Sequence, residues 1–358
     1  MNKPHIWLRA ETKPLERRAP LTPAGARELL DEGFRLTVEH DADRIFPSDD
    51  YRALNCDIAK AGAWVEAPAD AIVLGLKELP IDSFPLVHRH IHFAHVYKDQ
   101  AGAEDMLGRF VKGGGTLYDL EYLTLENGRR IAAFGYWAGF CGAALGVLAW
   151  ANKTAGDARP LGKLASLPAK ERLLEEVSGA IATVDRKPAV IVIGAKGRSG
   201  TGAVDLAKAA GLETVEWDLE ETRGGGPFNE INRADVFVNC VLVGSPLPPF
   251  VTLESLSSDA RRLSVIADVS CDPYGSYNPI PIYDRCTTFT DPCLEIIGGD
   301  KPLHLIAIDH LPSLLPKESS EDYVEQLLPY LKTLDDLESG VWERAKSVFV
   351  EKTRGLRQ

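Results

Sequence analysis

Two residues that can transfer protons, Lys77 and His95, each follow a short apolar run that is typical of a buried strand. A lysine that apolar neighbours shield from water loses its proton more easily and can act as a general base. Histidine changes charge near neutral pH and suits a proton shuttle. Because ligands of open parallel sheets bind beyond the carboxyl ends of the strands, both are candidate catalytic residues. For Lys77 alone, a solvated strand end is an equally good interpretation.

His95 is preceded by three further histidines, His88, His90 and His92. Four histidines so close in sequence resemble a set of metal ligands. Alternation along a strand places the first three on one face and His95 on the other. No carboxylate stands at ligand spacing. We therefore expect roles other than metal binding for these residues.

Two pairs of arginines could bind carboxylates. Arg17 and Arg18 follow the first strand, and Arg129 and Arg130 precede the apolar residues 131–134. Isolated arginine pairs are usually surface charge, but near a cleft they suit bidentate capture of substrate carboxylates. Both interpretations stay open on the residues alone.

A glycine-rich loop follows the apolar residues 190–193 and leads into a predicted helix. Gly197 and Gly200 fit the last two glycines of the G-x-G-x-x-G pattern, and Ala195 occupies the first position. Asp218 ends the next strand, close to the spacing of the acid that binds an adenosine ribose. This context favours a dinucleotide site over an ordinary turn, because backbone amides can there approach a pyrophosphate.

Strands and helices alternate along the chain and must position these residues. Strands are predicted at 6–9, 35–39, 71–76, 91–94, 116–120, 190–193, 214–217, 236–241, 264–269 and 303–308, and helices at 23–32, 49–54, 102–112 and 253–256. Residues 137–150 predict a long buried helix that could cross between domains, and 151–187 a connector with a helix. Helices at 319–332 and 335–354 are expected to return to the first domain.

The fold predicted from this alternation is α/β, with two Rossmann-like, doubly wound parallel-sheet domains and a cleft between them. Residues 1–136 with 318–358 are predicted to form the substrate-side domain, and residues 137–317 the dinucleotide-binding domain. A chain of 358 residues is long enough for two such cores.

Composition excludes several classes of function. The net charge of −12 argues against a nucleic-acid partner or an anionic membrane surface. No apolar segment has the length of a membrane span, and no signal region stands at the start, so we expect a cytoplasmic protein. The six cysteines form no C-x-x-C pair, which favours reduced thiols over a zinc site.

Longer runs carry a more specific signal. They are Leu-Arg-Ala-Glu-Thr-Lys-Pro-Leu-Glu-Arg-Arg at 8–18, Gly-Leu-Lys-Glu-Leu-Pro at 75–80, Phe-Ala-His-Val-Tyr-Lys-Asp-Gln at 93–100, Gly-Arg-Arg-Ile-Ala-Ala-Phe-Gly at 128–135, Gly-Gly-Pro-Phe at 225–228 and Ile-Asp-His-Leu-Pro-Ser-Leu-Leu-Pro at 308–316. With these runs the chain resembles, nearly end to end, the NAD-dependent, lysine-forming saccharopine dehydrogenases. That family is related to alanine dehydrogenase and the transhydrogenase nucleotide domain.

The resemblance implies an activity and two catalytic residues. Saccharopine, NAD⁺ and water would give L-lysine, 2-oxoglutarate and NADH, reversibly, in a monomer. Lys77 would take the proton of the secondary amine of the substrate. His95 would handle the protons of water addition to the imine and of carbinolamine collapse. Lys13 and Glu16 would lie beside the reacting centre and tune it.

The resemblance also implies the binding residues. Substrate contacts are expected from Arg18, Lys77, His95, Gln100, Arg130, Phe134, Ser270, Cys271 and Asp272. NAD contacts are expected from Arg129, Gly197, Arg198, Asp218, Thr222, Leu242, Val269, Ile308, Asp309, His310 and Leu311. Asp218 favours NAD over its 2′-phosphate, although Arg223 nearby is of the type that accepts one. Ser199 stands where fungal members have a cysteine, which excludes a thiol pair between that loop and Cys240.

Two other functions compete with this prediction. A related NAD-dependent opine or amino-acid dehydrogenase would join a different oxo acid or amine by the same imine chemistry. A non-catalytic NAD-binding regulatory protein would keep the fold without the reaction, because fold alone does not imply function. The presence of both Lys77 and His95 favours an enzyme.

Overall fold

The computed structural model describes residues 3–98 and 100–357, so that Asp99 of the 93–100 run lies outside the described part. The chain divides into two compact units. Unit 1 takes Met1–Ala133 together with Ser319–Gln358, and unit 2 takes Phe134–Glu318. Each unit is built around its own six-stranded sheet.

The sheet of unit 1 is parallel throughout, with the strand order β3-β2-β1-β4-β5-β6. Its central strands are buried on both faces, as the continuous apolar Ile72, Val73 and Leu74 require. The strands are β1 His5–Leu8, β2 Arg35–Glu39, β3 Asp57–Ala59, β4 Ile72–Leu74, β5 Arg89–His92 and β6 Thr116–Asp119. The helices of this unit are α1 Pro23–Asp31, α2 Ser48–Arg52, α3 Ala103–Gly113, α9 Pro316–Leu331 (its last thirteen residues) and α10 Gly340–Lys352.

The sheet of unit 2 has the order β11-β12-β10-β9-β7-β8, and β11 alone runs antiparallel, against β12. The strands are β7 Val190–Ile193, β8 Thr214–Trp217, β9 Val236–Asn239, β10 Val265–Asp268, β11 Leu294–Ile297 and β12 Leu303–Ile306. The helices are α4 Gly135–Ala155, α5 Lys170–Ile181, α6 Arg198–Ala209, α7 Leu219–Thr222 and α8 Asn229–Arg233.

The long apolar helix α4 lies wholly within unit 2 and does not cross to unit 1. Its small residues allow a close approach to α6. A Cβ atom on Gly139 would overlap the carbonyl oxygen of Ser199, and one on Gly202 would overlap that of Tyr136. The two helices therefore meet backbone to backbone, which fixes the start of α6 relative to the sheet.

The α/β fold with two Rossmann-like sheets is confirmed, while several element boundaries differ from the predictions. Strands β3 and β11 and the short helices α7 and α8 were not predicted. Residues 253–256 form no α-helix, and only a 3₁₀ turn, Ser255–Ser257, lies there. The final helix begins at Gly340 rather than at 335, because Ser339 is extended and acts as its cap residue.

Candidate functional site

Lys77 lies at the carboxyl end of β4, where buried groups from the segment after β1 hold its backbone. Glu11 accepts hydrogen bonds from the Leu76 N–H at 2.7 Å and from the Lys77 N–H at 2.9 Å. The Lys77 carbonyl accepts one from the Arg9 guanidinium, which lies so close to Gly75 that no Cβ atom fits there. Burial raises the pKa of Glu11, against the lowering effect of Arg9 and of the two backbone N–H groups.

His95 follows β5 and is paired with a carboxylate that the sequence analysis did not select. Its Nδ1 lies 2.5 Å from Oε1 of Glu78, and Nζ of Lys13 lies 3.7 Å from the same oxygen. Burial tends to raise the pKa of Glu78, but the hydrogen bond from His95, a backbone N–H and the charge of Lys13 lower it to about 2. An ionised Glu78 accepts the Nδ1 proton, which leaves Nε2 as the atom that can exchange a proton with a substrate.

The backbone of His95 has a left-handed conformation, with φ of 53°, which is uncommon for a residue with a side chain. The ring stacks on Phe93 with a centroid distance of 6.3 Å, and the side chain keeps 38% of its surface exposed. Asp119 at the end of β6 accepts a hydrogen bond from the N–H of Ala94, just before the histidine. The surroundings thus hold a strained conformation that presents the ring to solvent.

Asp119 was also missed by the sequence analysis. Burial raises its pKa to about 6, although backbone N–H groups of Glu121 and Ala94 and the charge of His95 act in the opposite direction. It is a buried carboxyl that anchors the ends of β5 and β6 beside His95.

Arg18 is buried and bound by a neighbour in sequence. Glu16 accepts from its Nε at 2.8 Å and from its Nη2 at 2.5 Å. Burial tends to raise the pKa of Glu16, while Arg18 and, further down in size, the charge of Lys77 lower it. The charge of Lys77 therefore acts on the Glu16–Arg18 pair. Of the two residues predicted to tune the reacting centre, Lys13 lies beside Glu78 and Glu16 lies beside Arg18.

The other predicted substrate contacts of unit 1 lie at the turns after β5 and β6. Gln100 accepts a hydrogen bond from the Lys98 N–H at 2.7 Å. Arg130 is exposed. The hydrogen bond to Glu121 raises the pKa of Lys98, and burial raises the pKa of Tyr323; the charge of Arg130 opposes both shifts, so Arg130 lies near both groups. Arg129 is exposed on the same turn.

The glycine-rich loop of unit 2 runs from β7 into the first turn of α6. Gly194 has φ of 86°, and its N–H donates to the carbonyl of Trp217 at 2.8 Å. A Cβ atom on Gly200 would overlap the Gly194 carbonyl oxygen. No side chain of the described residues caps the helix at Gly197, so the first N–H groups of α6 suit an anion such as a pyrophosphate.

Asp218 at the end of β8 joins this loop. Its Oδ2 accepts from the Lys196 N–H at 2.8 Å, and its Oδ1 accepts from the Leu219 N–H at 2.8 Å. Thr222 donates its hydroxyl to the Asp218 carbonyl. A carboxylate at the end of the strand next to the glycine loop is the arrangement that binds an adenosine ribose, so these residues fit NAD.

The other unit 2 residues predicted to contact substrate or NAD lie just after the carboxyl ends of its parallel strands or at the starts of α4 and α6. The carboxyl ends of parallel strands share one edge of the sheet, so most of these residues lie at that edge. They are Leu242 after β9; Val269, Ser270, Cys271 and Asp272 after β10; Ile308, Asp309, His310 and Leu311 after β12; Phe134 before α4; and Arg198 in α6.

The turn at residues 270–272 rests on a buried carboxylate that sequence reasoning missed. Asp268 accepts hydrogen bonds from the Tyr283 hydroxyl at 2.6 Å and from Nδ2 of Asn239 at 2.9 Å. It also accepts the N–H of Cys271, whose φ is 48°. Burial raises the pKa of Asp268, against these hydrogen bonds. No spacing in the sequence connects Tyr283 to this site.

His88, His90 and His92 lie on one face of β5 in the core of unit 1, as alternation predicted. The ring of His90 is 6.2 Å from that of His88 and 5.9 Å from that of His92, and it packs edge-on against Trp64 and Phe110. Among residues 3–98 and 100–357, no group of three His, Cys, Asp or Glu side chains is arranged to hold a metal ion. In the same ranges no helix is long and apolar enough to span a membrane.

Comparisons with known proteins show the fold and the family of the chain. Residues 7–141 match the family model described as the alanine dehydrogenase/PNT N-terminal domain, and residues 228–351 match its C-terminal domain. A solved L-alanine dehydrogenase, 17% identical, has a TM-score of 0.69 and covers 98% of this chain and 99% of its own, which shows the same fold. The two matched domains together place the chain in the alanine dehydrogenase/PNT class.

Relatives with higher identity narrow that class. The NAD(+)-dependent, L-lysine-forming saccharopine dehydrogenase of Yarrowia lipolytica is 48% identical over 355 residues, which are 96% of each chain. The enzyme of that name from Emericella nidulans is 48% identical over 373 aligned positions, covering all of both chains. The chain belongs to this family of L-lysine-forming saccharopine dehydrogenases.

Proposed function

We propose that the chain is an NAD-dependent saccharopine dehydrogenase. It converts saccharopine, NAD⁺ and water reversibly into L-lysine, 2-oxoglutarate and NADH. The observation that carries this proposal is the pair of adjacent strand ends in unit 1, which present Lys77 and the Glu78-bound His95. A reaction that oxidises an amine and then hydrolyses an imine needs two proton-transfer groups, and the high identity to enzymes of that name gives the substrate.

Lys77 acts first, as the base for the secondary amine. A protonated amine has no lone pair to assist the loss of hydride from the adjacent carbon, so the proton must leave before or during oxidation. The backbone hydrogen bonds to Glu11 and from Arg9 fix the position from which the side chain reaches the substrate. When bound, NAD⁺ supplies the oxidation by accepting the hydride.

His95 acts in the hydrolysis that follows. It accepts a proton from water as water adds to the imine carbon, and it returns a proton to nitrogen as the carbinolamine breaks into amine and oxo acid. Glu78 is the positioning residue for this step, because the hydrogen bond to Nδ1 sets the tautomer in which Nε2 exchanges the proton. Lys13 and Glu16 tune the charge around the two groups.

The carboxylates of the substrate require cations in a protein of net charge −12. Arg18 and Arg130 are the proposed partners, since a guanidinium binds a carboxylate with two parallel hydrogen bonds. Because Glu16 already binds Arg18 on one side, Arg18 is a preorientated partner rather than a mobile one. Gln100, Phe134 and the turn of Ser270, Cys271 and Asp272 complete the proposed substrate contacts.

NAD is assigned to the glycine loop, with Gly197 and Arg198 at the pyrophosphate and Asp218 at the adenosine ribose. A negative Asp218 repels a 2′-phosphate, which favours NAD over NADP. The further proposed contacts are Arg129, Thr222, Leu242, Val269, Ile308, Asp309, His310 and Leu311. In this assignment residues 1–136 with 318–358 form the substrate-side domain and residues 137–317 the NAD-binding domain. We further propose a monomer that works in the cytoplasm, without nucleic-acid or membrane partners.

An assay of NADH oxidation tests the proposal. The purified protein is given NADH with 2-oxoglutarate and L-lysine, and in parallel NADH with pyruvate and ammonia. Rapid oxidation with the first pair only is the expected result. Activity with the second pair only would instead assign an alanine-type dehydrogenase. NADH binding without turnover of any oxo acid and amine in a panel would assign a non-catalytic NAD-binding protein.

A further inference from the structure

Two cysteines in the segment between β10 and β11 of unit 2, 15 residues apart, lie side by side. Sγ of Cys271, in the turn after β10, is 3.3 Å from Sγ of Cys286. Sγ of Cys271 is also 3.1 Å from the carbonyl oxygen of Ala307, beyond the end of β12. Both thiols are partly buried rather than sealed in the core, so a small oxidant can reach them.

The neighbourhood holds the two sulfur atoms in place from both sides. The Cys271 N–H donates to the buried Asp268, which also binds the Tyr283 hydroxyl. On the other side Thr287, next to Cys286, donates its N–H to the Ala307 carbonyl at 2.7 Å and accepts the Ala307 N–H on its hydroxyl at 2.9 Å. These hydrogen bonds fix the backbone at both cysteines and so keep the two sulfur atoms close together.

From this placement we propose that Cys271 and Cys286 are an oxidisable dithiol, which a peroxide converts into an intramolecular disulfide. A disulfide needs a sulfur separation of about 2.0 Å, so the two atoms must approach by little more than an ångström. The other four cysteines of the chain are not expected to take part.

The chemistry balances with hydrogen peroxide as the oxidant. The thiolate of one of the two cysteines attacks one peroxide oxygen, which breaks the O–O bond and gives a sulfenic acid and hydroxide. The sulfur of the other cysteine then attacks the sulfenic sulfur, forms the S–S bond and releases the oxygen as a second water once protons are returned. Two thiols and one peroxide thus give one disulfide and two waters. Burial and the contact with Cys286 raise the pKa of the Cys271 thiol.

The bond would close a loop that lines a cavity. Residues 273, 275–278, 281 and 283 line it together with residues 246–249, and the cavity has a volume of about 640 Å³. Joining Cys271 to Cys286 ties the two ends of this segment together. Backbone N–H groups within 273–285 should therefore exchange with deuterium more slowly in the oxidised protein, while those of β7 should not change.

The test uses the full-length protein, treated with hydrogen peroxide and then alkylated and digested without reductant. The expected result is a loss of two free thiols and about 2 Da per chain, a peptide that links Cys271 to Cys286, and full reversal by dithiothreitol. Cys293→Ser, a control at another partly buried cysteine of unit 2, should still form the link, and Cys286→Ser should not.

Three results would overturn the proposal. They are a disulfide that maps to other cysteines, one that joins two chains, or six thiols that stay reduced at peroxide levels that oxidise free glutathione. Wild-type peptide mapping decides among these even if a variant fails to fold. Because thiol content is read without any enzyme assay, the outcome is independent of whether the proposed dehydrogenase activity is found.

Discussion

Glu11 accepts a 2.9 Å hydrogen bond from the backbone N–H of Lys77, although the two residues follow different strands of the unit 1 sheet. The contact exists because β1 and β4 are neighbours in parallel register, with Leu8 opposite Leu74, so the segments after them leave the sheet together. The backbone of the proposed base is thereby fixed both by its own strand, β4, and by the segment that follows β1. The long side chain of Lys77 therefore extends from a well-positioned backbone.

Lys77→Met should separate catalysis from cofactor binding. Loss of the base should lower kcat for saccharopine oxidation by about 10²–10⁴-fold, which is the usual contribution of general base catalysis. NADH binding, followed by fluorescence titration, should not change, since the glycine loop belongs to unit 2. The exposed Lys112→Met is the matched control and should retain wild-type kcat. An equal loss of NADH affinity in Lys77→Met would refute this division of roles.

Glu78→Gln should slow the steps that need His95. The neutral amide no longer stabilises the ring in one orientation, and a drop of at least about tenfold in kcat is expected by analogy with other carboxylate–histidine pairs. Because its pKa is lowered to about 2, Glu78 is ionised near neutral pH, and the support it gives to folding is lost only as pH falls from about 4.5 through 2. Glu104→Gln, in the exposed first turn of α3, serves as control. If Glu78→Gln and wild type had the same steady-state rates, Glu78 would not be a positioning residue for His95.

Gly200→Ala should weaken NADH binding. The added methyl group overlaps the Gly194 carbonyl oxygen, so the loop must shift at a cost of about 1–3 kcal/mol, which corresponds to about 5- to 150-fold in the dissociation constant. Gly179→Ala is the matched control, because that helical glycine has open space around its Cβ position. Circular dichroism would establish that both variants fold. Unchanged NADH affinity in folded Gly200→Ala would place the nucleotide elsewhere.

His90→Phe should make the protein less sensitive to acid. Burial, and next the charge of Arg9, lower the pKa of His90 well below 6.5 in the folded state. A lowered histidine pKa contributes stability that is complete above 6.5 and is lost as pH falls through 6.5 toward the folded value. Removing this group should reduce the pH slope of the unfolding free energy by up to about 1.4 kcal/mol per pH unit.

Denaturant unfolding from pH 7 to 4.5 measures this slope for His90→Phe. Phenylalanine suits the site because the ring already packs edge-on against Trp64 and Phe110. The exposed His40→Phe is the control and should keep the wild-type slope. If the stability of His90→Phe declines with acid as steeply as that of wild type, His90 does not contribute to the acid sensitivity.

Much of the sheet architecture could be predicted, because buried parallel strands are continuous apolar runs. The strand Val190–Ile193 and the strand Arg35–Glu39 have the predicted bounds. The strand predicted at 91–94 instead spans Arg89–His92, since Arg89 pairs in register with Ile72 and Thr116 despite being polar. The bounds of this strand are set by backbone pairing with its two neighbours, and residue type alone does not predict that pairing.

The contacts within the candidate site were harder to predict. Glu78 and His95 are 17 residues apart, and their pairing depends on the register of β4 and β5. The prediction that Arg18 contacts substrate remains, while its bond to Glu16 forms within an irregular loop that no periodic pattern describes. The hydrogen bond between the buried Asp268 and Tyr283 joins residues 15 apart, and the sequence carries no local signal for it.

Identification of the product is the sharpest test of the proposed reaction. The protein is incubated with NADH, L-lysine and 2-oxoglutarate labelled uniformly with ¹³C, and the products are separated and weighed by mass spectrometry. The proposed reaction should give a single secondary amine that contains all carbons of both substrates, formed with one NADH consumed per molecule and absent with Lys77→Met. NADH consumption that yields labelled glutamate, or no product with a new carbon–nitrogen bond to lysine, would contradict it.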